Sequence, residues 1–198
     1  EVLDYYEQIL DSVDVPLIVQ DASGYVGGAL SLDTQVLLHR RHGPHRVMFK
    51  PEAPPLGQRL TQLLDATDGE ARVLEGSGGL ALIDAYRRGL IGTMPGPDLV
   101  WAVAAIWAAL RENDDERAYQ IGGALIPLLC PLTSLDSYVV TQKHLLLKQG
   151  VFTDARVRGP NSYRIDRHTS EEIDRQYTLL RSTVDSPVSQ FAAVRSPI

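Results

Sequence analysis

The chain has 198 residues, 44% of them apolar, which suits a folded globular protein and excludes a disordered one. Nineteen Lys and Arg stand against 25 Asp and Glu, for a net charge of −6, so the basic footprint of a nucleic-acid binder is absent. Cys130 is the sole cysteine; no intrachain disulfide can form, a reducing, cytoplasmic setting is the default, and Leu-Leu-Cys-Pro-Leu reads as the setting of a buried small hydrophobe.

Val2, Tyr5, Tyr6, Ile9, Leu10 and Val13 recur at helical spacing from the outset, and no initiator Met precedes them, so sequence before Glu1 is expected to be missing. Val15–Gln20 is a short β-branched run and predicts a buried strand. Asp21 to Ala29 reads as a Gly-rich loop, and Ser31 as the N-cap of a helix through His39 that Gly43-Pro44 ends. Arg46–Lys50 predicts a second strand, followed by a helix over 56–66 with Leu60, Leu63 and Leu64 on one face. Ala71–Glu75 predicts a third strand, a Gly-Ser-Gly-Gly turn follows, and Leu80–Arg88 predicts a helix closed by Gly89. Leu90–Met94 predicts a fourth strand, and Pro95-Gly-Pro97 begins a helix running to Glu112.

Strands alternating with helices imply parallel βαβ units, and four such units are half of a (β/α)8 TIM barrel, which takes about 250 residues. The rest predicts helices over 115–129, 132–149 (stopped by Gly150) and 171–182, with Thr169 and Glu172 at capping-box spacing for the last. The expected organisation is therefore residues 1–112 as the C-terminal half of a barrel, 113–184 as a C-terminal helical extension and 185–198 as a loose tail. The longest apolar stretch, Leu99–Leu110, is too short to span a bilayer, so a soluble protein with no membrane partner is expected.

In a (β/α)8 protein the reacting groups sit at the C-terminal ends of the strands, here Gln20-Asp21, Lys50, Glu75-Gly76-Ser77 and Thr93-Met94. Lys50 follows the apolar Val47-Met48-Phe49, and desolvation there lowers an amine's pKa and frees its lone pair for attack on a ketone. The imine so formed is an electron sink that permits carbon–carbon cleavage, condensation or loss of water, without a metal or an organic cofactor. The other reading of the same residue is a structural lysine paired with Glu52 or another carboxylate.

The order of segments resembles the second half of the dihydrodipicolinate synthase/N-acetylneuraminate lyase family. The pieces that carry the resemblance are Val15-Pro-Leu-Ile-Val-Gln-Asp21, Gly27-Gly-Ala-Leu-Ser31, Phe49-Lys-Pro-Glu52, Glu75-Gly-Ser-Gly78, the run Arg88–Gly96 and Lys143–Gly150. Together they extend over most of residues 1–165. The resemblance implies an imine-forming lysine at Lys50, a pocket glycine at Gly76, and Met94 as the residue whose backbone faces a bound keto acid. Gln20, Ser77 and Thr93 complete the expected substrate-binding set. It also implies a small-molecule 2-keto acid as partner and a homotetramer.

One position departs from the family. Its usual Tyr-Asn at the end of the first of these strands is Gln20-Asp21 here, and a glutamine amide forms hydrogen bonds but is no acid or base near neutral pH. Gln-Asp-Ala and Lys-Pro-Glu-Ala-Pro are similar instead to a branch that includes 2-keto-3-deoxy-L-arabinonate dehydratase. The expected activity is a lysine-imine lyase, either a pyruvate-type aldolase or a 2-keto-3-deoxy sugar-acid dehydratase. The alternatives are condensation of pyruvate with an aldehyde, or a non-catalytic relative that binds a ligand. Tyr25 could supply the missing hydroxyl, though packing is the plainer role.

His39, His42 and His45 recur every three residues but flank Arg40, Arg41 and a Gly-Pro break, so a solvated loop is expected rather than a metal site. Gly76-Ser-Gly-Gly lacks the lysine of a phosphate loop, and Ser77 has no evident His partner. Asp114-Asp115-Glu116 reads as a solvated helix start, and Trp101 and Trp107 as core or oligomer contacts.

Overall fold

A computed structural model describes residues 1–22, 28 and 30–186. Tyr25 and the expected tail beyond residue 186 lie outside the described residues. Helix α1 (Val2–Ser12) leads into four strand–helix units: β1 (Leu17–Asp21) and α2 (Leu32–His42), β2 (Val47–Pro51) and α3 (Leu56–Ala66), β3 (Arg72–Glu75) and α4 (Leu82–Arg87), β4 (Gly92–Thr93) and α5 (Val100–Arg111). Three further helices follow, α6 (Asp115–Leu129), α7 (Leu135–Lys148) and α8 (Arg167–Asp185).

The strands are parallel and lie in sequence order, β1-β2-β3-β4, as the successive staves of half a (β/α)8 barrel. Side chains alternate between the two faces of a strand. Val19, Val47, Phe49 and Val73 therefore share one face, where all are buried with Leu38 of α2 and Leu60 and Leu63 of α3. That face is the hydrophobic layer between sheet and helices. The register pairs Gln20 with Lys50, so both side chains stand next to each other on the opposite face. The backbone N–H of Glu52 donates to the Asp21 carbonyl at 3.0 Å, carrying the β1–β2 pairing one residue past the strand end.

Phe49 is 1% exposed and directly precedes Lys50. Its replacement by alanine removes a large core side chain and is expected to cost about 3–5 kcal/mol of stability. The check is a denaturant titration, in which the midpoint should fall while the slope stays the same.

The helical bounds differ from expectation where local hydrogen bonds decide them. Helix α2 runs on to His42, and His39 within it is 5% exposed rather than solvated. His42 pairs with Glu7 at 2.8 Å and His45 approaches Arg72, so the three histidines have separate local roles. Helix α5 starts at Val100, not at the prolines, because residues 97–99 form a turn. The Asp98 carbonyl in that turn accepts from the Trp101 indole and the Gln149 amide. Ser134 caps α7 in a reciprocal box with Ser137, which places the start at Leu135. Asp166 caps α8 by accepting from the Thr169 N–H at 2.7 Å, so the helix begins a turn before the expected Thr169–Glu172 box.

Cys130 is exposed, contrary to the buried setting expected for it. Leu125 and Leu128 carry the buried stripe of α6, and two residues past Leu128 the helix has turned about 200° away from it. Trp101 and Trp107 are core-packed: Trp107 meets Tyr86 edge-on at 5.3 Å, and Trp101 lies between Tyr177 and the Arg181 guanidinium. Asp114 caps α6 through the Arg117 N–H. Among the described residues no helix is long and apolar enough to cross a membrane.

Candidate active site

At the C-terminal end of the sheet lies a cavity of about 510 Å3. Strand ends supply Gln20, Lys50, Glu52, Gly76, Ser77 and Met94 to its wall. The helical extension supplies the rest of the polar lining, Thr133 and Ser134 before α7 and Tyr138 within it, together with Leu129, Leu132 and Leu135. The chain thus brings together five of the six expected site residues that flank or include Lys50. Thr93 is the exception: its hydroxyl donates to Glu75 Oε2 at 2.8 Å, and it does not line the cavity.

The centre of the site is a close pair. Lys50 Nζ lies 2.7 Å from Glu52 Oε1, and the two side chains are only 14% and 7% exposed. Two residues apart on an extended chain, they share a face by the alternation of the strand. Gln20 reaches across from β1 and donates to the same Glu52 oxygen at 2.9 Å. Gly76, at the end of β3, packs flat against both: a Cβ built there would meet Glu52 Cγ at 2.6 Å and Lys50 Cε at 2.9 Å. Only a residue without a side chain leaves this space.

Burial shapes the protonation of the pair. Desolvation pushes the Lys50 ammonium below its ordinary range, opposed by the negative charge of Glu75. Desolvation likewise pushes the Glu52 carboxyl up, opposed by the Gln20 hydrogen bond and reinforced by Glu75 and Asp21. An ion pair and a neutral pair hold the same number of protons and differ by moving one of them across the 2.7 Å gap. Loss of water favours the neutral form, in which the amine carries a lone pair.

Glu75 is buried and works as an anchor. It accepts from the Ser77 N–H at 2.6 Å, the Ser77 hydroxyl, the Gly79 N–H at 3.2 Å and the Thr93 hydroxyl, fixing the turn after β3. The Ser77 hydroxyl is therefore committed to Glu75 while the residue still lines the cavity. On the far wall Tyr138 has its phenol pushed above the usual range by burial and by the nearby Asp98 and Glu52 charges. Asp98, itself buried, accepts from Gln142 at 2.9 Å and holds the α7 side of the wall to the β4–α5 turn. No group of three or more His, Cys, Asp or Glu side chains among the described residues could hold a metal ion.

Tyr138 is not among the expected site residues, Glu75 enters the expectation only as a strand-end position, and Glu52 only as a structural partner for Lys50. The signal for Glu52 was available: an acidic residue two positions after a strand-end lysine falls on the same face. Tyr138 arrives from 88 positions downstream of Lys50, and only the folding of α7 against the cavity brings it there.

Half of a (β/α)8 barrel with a largely buried lysine amine at the C-terminal end of its second strand is the arrangement to set beside known proteins. Over 164 residues the chain is 27% identical to L-2-keto-3-deoxyarabonate dehydratase of Azospirillum brasilense, covering 81% of this chain and 51% of that protein. In fold it is similar to dihydrodipicolinate synthase of Rhodopseudomonas palustris, with TM-score 0.79 at 21% identity over 90% of this chain and 60% of that one. N-acetylneuraminate lyase of Fusobacterium nucleatum gives TM-score 0.69 at 18% identity, over 89% and 59%. No family model matches the chain. The resemblance to the dihydrodipicolinate synthase/N-acetylneuraminate lyase family therefore holds in sequence and in fold, and the chain spans about half the length of the curated relative it matches.

Proposed function

We infer that the chain carries the covalent centre of a lyase acting on 2-keto acids, with Lys50 as the imine-forming amine. The observation that carries this reading is the Lys50 amine buried against Glu52 at 2.7 Å in the wall of a cavity that opens at the strand ends. The neutral amine attacks C2 of the keto acid; a carbon–nitrogen bond forms and the carbonyl oxygen, protonated, leaves as water. The resulting iminium draws electrons from C3, so a C3 proton is lost and an enamine forms. From the enamine of a 2-keto-3-deoxy sugar acid, breaking C4–O with a proton delivered to the leaving oxygen expels water; an aldolase instead breaks C3–C4 at the iminium, where the C4 hydroxyl loses its proton, an aldehyde leaves and the electron pair of the broken bond forms the enamine.

The dehydratase branch has the stronger support, because the relative similar in sequence is named for dehydration of such an acid and Gln20 stands where the family tyrosine would. Gln20, Gly76, Ser77 and Met94 line the substrate's path, with Thr93 acting at one remove through Glu75. A homo-oligomer in the cytoplasm is part of the same reading.

Borohydride reduction in the presence of pyruvate or a 2-keto-3-deoxy sugar acid should leave a mass adduct on the peptide containing Lys50. An intact protein that gives no adduct with any of these ketones would overturn the reading. A coupled assay for released pyruvate then separates the branches, since dehydration keeps the carbon skeleton whole.

A further inference from the structure

Across from the Lys50–Glu52 pair the cavity has a second polar wall, whose groups the imine steps do not use. Asp98 is a buried carboxylate there, and Gly96, Gln142 and Tyr138 gather around it. A Cβ built at Gly96 would meet Gln142 Nε2, Asp98 Oδ1 at 2.7 Å and Tyr138 Oη at 3.0 Å, so a glycine lets the three polar groups close on one point. Charge fixes which way each of them faces. A carboxylate only accepts, so the Gln142 amide turns its NH2 toward Asp98, and Nε2 donates to Oδ1 at 2.9 Å. The same amide hydrogen-bonds the phenol oxygen and offsets part of the rise that burial causes there. With its oxygen accepting from Gln142, the Tyr138 hydroxyl keeps one proton to give, and both Tyr138 and Gly96 line the cavity.

The geometry points to Gly96, Asp98, Gln142 and Tyr138 as a wall that selects keto acids with an uncharged, hydroxyl-bearing tail, Tyr138 donating to a tail oxygen. This rests on the reading of Lys50 given above, because the imine fixes the C2 end of the ligand. The rest of a longer chain is left to cross a cavity of about 510 Å3, a volume that takes a whole small-molecule ligand. An O–H donor suits a hydroxyl, a carboxylate or a phosphate oxygen, and the surrounding charge decides between them. Tyr138 lies near enough to Asp98 and Glu52 to feel both negative charges. Lys50 is the only cation among the described residues lining the cavity, and it is engaged by Glu52 and consumed by the imine. The N-terminus of α7 also reaches the cavity, but Ser134 and Ser137 cap it reciprocally and Asp136 stands in its first turn. A phosphate or a second carboxylate at the tail would therefore lose water without gaining a positive partner, a cost that a neutral hydroxyl escapes. Pyruvate has no tail and gains nothing from the wall.

The test measures, on the complete protein, the concentration of keto acid that half-saturates borohydride trapping on Lys50. The probes are pyruvate, 2-keto-3-deoxygluconate and the 6-phosphate of the latter. In the wild type the 6-phosphate should need about 10-fold more than the neutral acid, or greater, as a charged group left unpaired requires. In Tyr138→Phe the value for 2-keto-3-deoxygluconate divided by that for pyruvate should rise about 3–10-fold, the loss of one hydrogen bond. Gln142→Met keeps the phenol but removes the group that aims it, and should raise the same ratio by a smaller factor. Should circular dichroism show the Phe variant unfolded, Gln142→Met decides instead. An unchanged ratio in the deciding variant overturns the wall, including the case in which both values rise together and Tyr138 is structural alone. A 6-phosphate that saturates as readily as the neutral acid overturns it too. Each of these results leaves the Lys50 adduct standing, whereas a wild type that gives no adduct with any probe removes the Lys50 reading itself, and the wall with it.

Discussion

Replacing Lys50 by arginine is expected to reduce turnover of any 2-keto acid to background and to abolish the borohydride adduct, with the fold intact. The guanidinium keeps the positive charge beside Glu52 but stays protonated throughout the accessible pH range and forms no imine. Charge and size alone would be largely restored by arginine, so a variant that still turned over would show that Lys50 acts by pairing and not by covalent chemistry. The measurement is steady-state turnover with trapping followed by mass spectrometry.

The wild-type pH dependence should show the same amine at work. Attack needs the neutral form, so the trapping rate rises with pH through the folded-state pKa of Lys50, which burial has moved below the ordinary lysine value of about 10.4. The sign for stability follows from the same shift. The unfolded chain holds this proton more tightly than the folded one, so folding carries a penalty that is fully present below the folded pKa. That penalty disappears as pH rises from there toward the ordinary lysine value. Lys50→Met should flatten the dependence over that window, read as unfolding midpoint against pH.

Much of the scaffold was legible because period-two and period-3.6 patterns were each repeated over enough residues to be distinguished. Val47-Met48-Phe49 is apolar with a β-branched start, and a lysine directly after it can only stand at the strand end. The parallel register then sets Gln20 beside it without further information. Legibility stopped where long-range contacts decide. Thr93 is at a strand end like the others, yet its hydroxyl is drawn to Glu75, which is fixed by a turn three residues long. Tyr138 and Ser134 enter through the packing of a helix that no local pattern ties to the sheet. Cap residues were equally contingent: Asp166 and Thr169 both suit a helix start, and the hydrogen bond from the Thr169 N–H to the Asp166 carboxylate selects the earlier one. The Lys50–Glu52 contact reconciles the two roles first held apart for the lysine, because the carboxylate that would make it a structural residue is the group that can take its proton.

Gly76→Ala is expected to leave the fold standing and to lower kcat/KM by about 10²-fold, the loss that follows from misplacing reacting groups by about an ångström. Gly76 has no positive-φ requirement that would by itself demand glycine, so backbone strain is not the cause. The added methyl would sit 2.6 Å from Glu52 Cγ, 2.8 Å from its Oε1 and 2.9 Å from Lys50 Cε, all closer than non-bonded carbon and oxygen approach. The turn cannot give way, since Glu75 holds the Ser77 and Gly79 N–H groups that follow. The two side chains must therefore move, and with them the 2.7 Å contact and the Gln20 hydrogen bond to the same oxygen. Because both ends of the pair shift, imine trapping and turnover should fall together. Unchanged kinetics in Gly76→Ala would mean that the pair rearranges freely, and that its observed geometry is not the one the reaction uses.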